Sequence, residues 1–492
     1  MFRTASRLII ASVVLPVTGL VLLEFFFRSL PLWWQPVYQK LFDSPQRMYI
    51  YVLGESTAEG VQYQEKISPA VLVTYQFNDS LQGKPVEIIE LAKSGTTIEY
   101  NYFQFYFETL FRPRQNALVI IYSGINEGTG NVYDRGFESW KQWQKSVVLS
   151  KLYYMFGSYS NSPQKYRFRY REIIELAKEH KYKTVLSQLV GNVADYDPEV
   201  FENDDLLRPG YLEAFIRAES IYRNGGSADA DSCYRNLYSK LQQPHPFLIY
   251  RIAHCKRREL QFDSARLYFS QLPEMCGYVG YAAWKNKILE EVSRQPDVAL
   301  AHTFDRFVDS SENGLVGYNL INDAHHPNIL GYCIMSRELA KEVSKLYREN
   351  IKRNISEEII KKHFGFDKEF EAGVYFKLIE WFIYETFETQ MRMQRLSRLE
   401  YYMLKYGELK RSTESVLVWK LLVSILEKNG HSFAEAVRNI DVADKRQMVL
   451  ERIRGGFAGS PYKEQIKAAV RQFNLKNREL ESFVREMETQ LN

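Results

Sequence analysis

The chain has 492 residues, a length that admits about three domains at roughly 150 residues each. Lys and Arg number 64 against 60 Asp and Glu, so the net charge is only +4 and no long basic run appears, which argues against nucleic acid as a partner. Hydrophobic residues at 45% and charged residues at 25% exclude global disorder and a polytopic membrane protein, and 4 cysteines exclude a disulfide scaffold.

The N-terminus comes first in chain order. Leu8–Phe27 carries one charge, Glu24, and as a helix would reach roughly 30 Å, the hydrocarbon thickness of a bilayer. The run after it, Phe25-Phe26-Phe27-Arg28-Ser29-Leu30-Pro31-Leu32-Trp33-Trp34, is bulky where signal cleavage needs small residues. Trp33 and Trp34 suit an interfacial belt. Arg3 and Arg7 precede the span, which favours a cytoplasmic N-terminus. Residues 1–28 are therefore expected to be an uncleaved single-pass anchor in the cytoplasmic (inner) membrane, with the rest extracytoplasmic. No other segment reaches 18 apolar residues.

From residue 47 short β-type runs alternate with helical stretches. Strands are predicted at Met48–Leu53, Val86–Leu91, Ala117–Tyr122, Thr184–Leu189 and Val298–Thr303, with helices at Ser68–Leu81 and Thr97–Phe111 between the first three. The strand runs are continuously apolar, as in strands covered on both faces, and the alternation implies parallel pairing. The expected fold is α/β, a three-layer α/β/α parallel-sheet domain over 47–197 and 296–348.

Residues 198–295 interrupt it with four helices, Tyr211–Asn224, Asp229–Gln243, Pro246–Leu260 and Phe262–Leu272. Ala253, Ala265, Phe269 and Leu272 fall near tetratricopeptide-like positions, and Tyr234, Tyr238 and Leu241 repeat the spacing. A helical, repeat-like insertion is expected, and two of Cys233, Cys255 and Cys276 have the chance to pair there. Residues 349–492 read as a C-terminal helical bundle, with Val374–Phe387 and Val416–Leu426 as core helices and Lys463–Gln490 as a charged surface helix. Insertion and bundle are the places for a protein partner.

The chemistry-bearing residues sit after strands. The first strand runs into Gly54-Glu55-Ser56-Thr57-Ala58-Glu59-Gly60, the second into Lys93-Ser94-Gly95, and the third into Ser123-Gly124-Ile125-Asn126-Glu127. The last is followed by Asn322-Asp323-Ala324-His325-His326-Pro327-Asn328 and a helix over Ile329–Tyr347. Serine at the C-terminal end of the first parallel strand lies where α/β folds place ligands. Asp323 and His326 are three apart, so His326 can take the Ser56 proton while Asp323 accepts the other ring N–H. His325 competes as base, but the Asp-x-x-His spacing favours His326. The backbone N–H groups of Ser56 and Gly95 and the Asn126 amide are candidate oxyanion donors.

With these blocks in this order the chain resembles the SGNH (GDSL-type) hydrolases over about residues 47–345, and looks like a bacterial subgroup with a repeat-like insertion. The resemblance implies Ser56 as nucleophile, Gly95 and Asn126 in the oxyanion hole, and Asp323 and His326 completing the triad. Glu55 replaces the usual Asp, and Glu90 stands where many members have Asn. Asn192, in a loop resembling the subgroup's after the fourth strand, orients substrate or serves as a cap. Trp140 and Trp143 stack on a sugar or acyl group or pack as a lid. No His or Cys pair has metal-ligand spacing and no nucleotide fingerprint appears, so cofactor-free and metal-free chemistry is expected. The expected activity is hydrolysis of acyl or acetyl esters on envelope glycans or lipids. O-acyl transfer by the same triad, or a non-catalytic role in envelope assembly, are the alternatives.

Overall fold

Five strands pair in parallel; the central two are apolar runs covered on both faces, whereas the strand Lys84–Glu90 carries Lys84, Glu87 and Glu90 and has no fully buried residue. In chain order the strands are β1 (Met48–Gly54), β2 (Ser80–Leu81), β3 (Lys84–Glu90), β4 (Ala117–Tyr122), β5 (Lys183–Ser187) and β6 (Val298–Ala301). Every residue of β1 and β4 is buried. The computed structural model describes residues 15–127 (65 excepted), 141–156 (143 and 145 excepted) and 162–275 (199, 201–203 and 242 excepted). It also describes 283–388, 393–410, 478–491 and scattered positions between 420 and 471.

The strand order is β2-β3-β1-β4-β5-β6. β1 pairs in parallel with β3 on one side and β4 on the other, and β4–β5 and β5–β6 are also parallel. The chain thus winds outward in both directions from β1, which makes the β1/β4 seam the topological switch point, where such sheets open a crevice beyond their strand ends. β2 is antiparallel to β3 and was not expected. It forms because the helix starting at Ser68 ends at Gln76, short of the expected Leu81. Ser68 caps that helix through Val71 N–H, and Asn78 and Asp79 then take left-handed φ of 59° and 57° and lead the chain into β2. Gln82 and Gly83, at φ 54° and 71°, make the two-residue hairpin turn to β3.

The chain divides into two compact units, residues 1–194 with 260–360, and 195–259 with 361–492. The first holds the sheet and the helices Ile98–Phe111, Pro163–Glu179, Ala283–Val292 and Ile329–Tyr347. The second holds Pro209–Arg223, Ser227–Lys240, Pro246–Arg258 and Lys368–Glu388. Tyr234, Tyr250 and Ala253 form part of its buried core. The helices 246–258 and 262–269, which the repeat spacing couples, belong to different units. Their small and large residues are used, but not as one free-standing repeat. Cys233 and Cys255 are free thiols, and Cys276 lies outside the described residues.

The N-terminal helix runs over Leu15–Phe42, past the expected end of the span at Phe27 and through Pro31 and Pro36. Among the described residues no helix is long and apolar enough to cross a membrane. Leu8–Val14, the first part of the expected span, lies outside the described residues. Glu24 accepts from Ser146 Oγ at 2.8 Å and Val148 N–H at 3.1 Å, so part of this helix is satisfied by the α/β unit. Trp34, read from sequence as a belt residue, donates its indole N–H to the Phe111 carbonyl at 2.7 Å.

Candidate active site

The site starts from a constraint on backbone. A Cβ on Gly54, the last residue of β1, would meet the Tyr122 carbonyl oxygen at 2.3 Å and the Ala58 Cβ at 2.4 Å, so only glycine lets the chain turn there. Asn101 accepts the Gly54 N–H at 3.0 Å and donates to Ser123 Oγ at 3.1 Å, joining the ends of β1 and β4. Ser56 then opens the short helix Ser56–Glu59, where its own N–H is not used by the helical ladder.

His326 Nε2 lies 2.7 Å from Ser56 Oγ, and His326 Nδ1 lies 2.8 Å from Asp323 Oδ2. A carboxylate only accepts, so Nδ1 carries the proton and Nε2 presents its lone pair to the serine hydroxyl. Asp323 is held by further donors: Gln62 Nε2 at 2.6 Å on Oδ2, and the N–H groups of His325 at 3.0 Å and His326 at 2.8 Å on Oδ1. Burial raises its pKa, but His326 beside it and these hydrogen bonds outweigh burial and hold it well below the usual carboxylate range. Asn322 fixes Gln62 in turn, donating to Gln62 Oε1 at 2.9 Å.

His325 does not reach the serine in this way. Its ring lies 4.1 Å from that of His326, centroid to centroid, and its Nδ1 is buried without a hydrogen-bond partner among the described residues. Burial, and then the neighbouring His326, push its pKa down to about 3. Asp323, His325 and His326 offer ligand atoms within 4.8 Å of one another, the one such grouping among the described residues. The Asp323 oxygens and both His326 nitrogens are already engaged as above, an arrangement suited to proton transfer rather than coordination.

Gly95 is exposed and takes φ +73°, and the space where a Cβ would stand is open. Asn126 donates an amide N–H to the Thr96 carbonyl at 2.8 Å, which brings the loops after β3 and β4 together. Asn192, read from sequence as a residue that orients substrate or serves as a cap, braces the Asp323 segment. It is fully buried, donates to the Asp323 carbonyl at 2.9 Å and joins Ala324 through its own N–H at 2.8 Å. Trp140 and Trp143 lie outside the described residues.

Sequence reasoning placed Glu55 beside the site, without a role. Glu55 Oε1 accepts from Ser123 Oγ at 2.6 Å and Gly124 N–H at 2.8 Å, and Oε2 accepts from Ile125 N–H at 3.1 Å. The residue before Ser56 thus holds the loop after β4. Glu90 accepts from Ala92 N–H at 3.0 Å. Gln62, Asn322, Asn101 and Lys285 were missed. For Gln62 and Lys285 no local motif signals the role.

No protein-family model and no curated protein matches the chain. Solved structures similar to it include a GDSL-like lipase from Bacteroides thetaiotaomicron VPI-5482, at 14% identity and a TM-score of 0.31, covering 63% of this chain and 96% of that one. A chain described as an acylhydrolase, from Bacteroides fragilis NCTC 9343, is similar at 13% identity and a TM-score of 0.29, covering 62% of this chain and 88% of that one. Three of the motif blocks follow β1, β3 and β4 of a parallel α/β sheet, and the fourth precedes the helix Ile329–Tyr347.

Proposed function

We propose that this chain is a serine esterase in which Ser56 is the nucleophile, His326 the base and Asp323 the residue that orients the base. The observation that carries the reading is the hydrogen-bonded line Ser56 Oγ, His326 Nε2, His326 Nδ1, Asp323 Oδ2, with steps of 2.7 Å and 2.8 Å. As Ser56 Oγ attacks an ester carbonyl, its proton passes to Nε2, and the anionic Asp323 stabilises the imidazolium. The oxyanion takes hydrogen bonds from the N–H groups of Ser56 and Gly95 and from the Asn126 amide. His326 returns its proton to the leaving alcohol, and water then releases the acid from the acyl-enzyme by the same route.

The substrates we propose are acyl or acetyl esters on envelope glycans or lipids, reached by a domain tethered through the apolar N-terminus. The resemblance of the four motif blocks and the composition of Leu8–Phe27 support that choice. The test is covalent: a serine-directed phosphonate should label the wild-type chain and not Ser56→Ala. Equal labelling of both would remove Ser56 from the mechanism.

A further inference from the structure

Two buried carboxylates and a buried ammonium surround the loop after β4. Gly124 gives its N–H to Glu55 Oε1 at 2.8 Å, and its carbonyl accepts Lys285 Nζ at 2.6 Å. Glu127, at the far end of the loop, accepts the Ile98 N–H through Oε1 at 2.5 Å, while its Oε2 is buried with no hydrogen-bond partner among the described residues. Asn126 sits between these fixed points. Lys285, on the helix Ala283–Val292, is 1% exposed. A buried ammonium is costly unless it is paired, and negative charge comes from Glu127 and Glu55.

Gly124 explains why the loop needs holding from outside. Its φ is +130°, and a Cβ there would meet the Tyr166 hydroxyl at 2.4 Å, so the position requires glycine. Glycine brings little conformational restraint of its own. The direction of the loop is therefore set by what grips its N–H and its carbonyl. An oxyanion donor must lie about 2.7–3.1 Å from the developing charge, so an error in loop direction falls on the transition state and little on ground-state binding.

We propose that Lys285 is a positioning residue for the oxyanion donor Asn126, acting through the Gly124 carbonyl. The proposal rests on the esterase reading of Ser56. The competing role for Lys285 is purely structural, offsetting the charge of Glu55 and Glu127.

The full-length chain separates the two roles with p-nitrophenyl acetate as substrate and a thermal melt as a check on folding. Lys285→Met alone leaves the carboxylates unbalanced, so Lys285→Met/Glu127→Gln carries the main test. It should melt close to wild type, yet lose on the order of tenfold to a hundredfold in kcat with little change in KM. Lys285→Gln, neutral but still able to donate an N–H, should recover part of that kcat. Wild-type kcat in the double variant, a loss confined to KM, or a double variant that does not fold would each overturn the proposal. Ser56→Ala distinguishes the two readings. If it keeps full hydrolysis the esterase reading fails, whereas if it loses hydrolysis while the double variant is normal, only the role of Lys285 fails.

Discussion

Asp323 and Glu55 are both 1% exposed and both accept several hydrogen bonds, yet their acidities move in opposite directions. Burial pushes both upward. Asp323 faces His326 and ends well below the usual range, whereas Glu55 faces Glu127, another carboxylate, and ends above it. Glu127 is raised as well, by burial first, with Lys285 acting against it. Hydrogen bonds alone do not explain the difference, since Glu55 accepts from Ser123, Gly124 and Ile125. The sign of the neighbouring charge decides it. Beside Ser56, then, His326 favours the ionised form of Asp323, while Glu55 and Glu127 oppose each other's ionisation and Lys285 offsets part of that cost.

The first way to break this contrast is to remove the reacting groups. Ser56→Ala or His326→Ala should reduce ester hydrolysis by about 10⁴-fold or more in kcat, with the circular dichroism spectrum unchanged. Asp323→Asn should cost on the order of 10⁴ in kcat, because an amide in place of Oδ2 favours the wrong imidazole tautomer. Turnover within about tenfold of wild type would show that Asp323 is only structural.

Asn126→Ala should cost about 10²–10³ in kcat, the worth of one oxyanion donor, and KM should hardly move.

The carboxylates on the other side are read out through stability. A raised carboxyl pKa means that the folded state binds protons the unfolded chain has already released. Stability from Glu55 and Glu127 is therefore present at acid pH and declines as pH rises beyond the ordinary value of 4.5. Asp323 behaves oppositely, contributing above its ordinary value of 3.8 and losing its contribution as pH falls. Glu127→Gln should flatten the alkaline decline, gaining about 1 kcal/mol relative to wild type between pH 5 and pH 8 in denaturant titrations. Parallel wild-type and variant curves would show that folding does not raise the Glu127 pKa.

The smallest effect is expected at His325. Its backbone N–H, not its ring, supports Asp323, so His325→Ala should change kcat by less than about tenfold. A loss as large as that of His326→Ala would reverse the assignment of the base.

The candidate site residues were legible because their signals are local. Gly54-Glu55-Ser56 follows an apolar strand, and Asp323 and His326 stand three apart before a helix, so short-range geometry nearly settles their relation. The parallel strands were legible for a similar reason: β1 and β4 are continuous apolar runs buried on both faces, and β3, although it carries Glu87 and Glu90, keeps a β-type run over 86–89. β2 was not, since it is two residues long and depends on left-handed turns at Asn78 and Asp79. Asn192 was read as a substrate or cap residue because a polar side chain in a loop after a strand looks the same in either role. Its contact with the Asp323 carbonyl shows only in the folded chain.

Sequence by itself therefore determined the strand pattern and singled out Ser56, His326 and Asp323, which the fold brings into one hydrogen-bonded line. Tertiary structure alone decided what holds them in place: Gln62 on Asp323, Glu55 on the Gly124 and Ile125 N–H groups, and Lys285 on the Gly124 carbonyl. The physical reason is distance along the chain. Periodicity and motif spacing report neighbours within a few residues, whereas buried polar groups take partners wherever folding brings a donor, and those pairs carry no period to read.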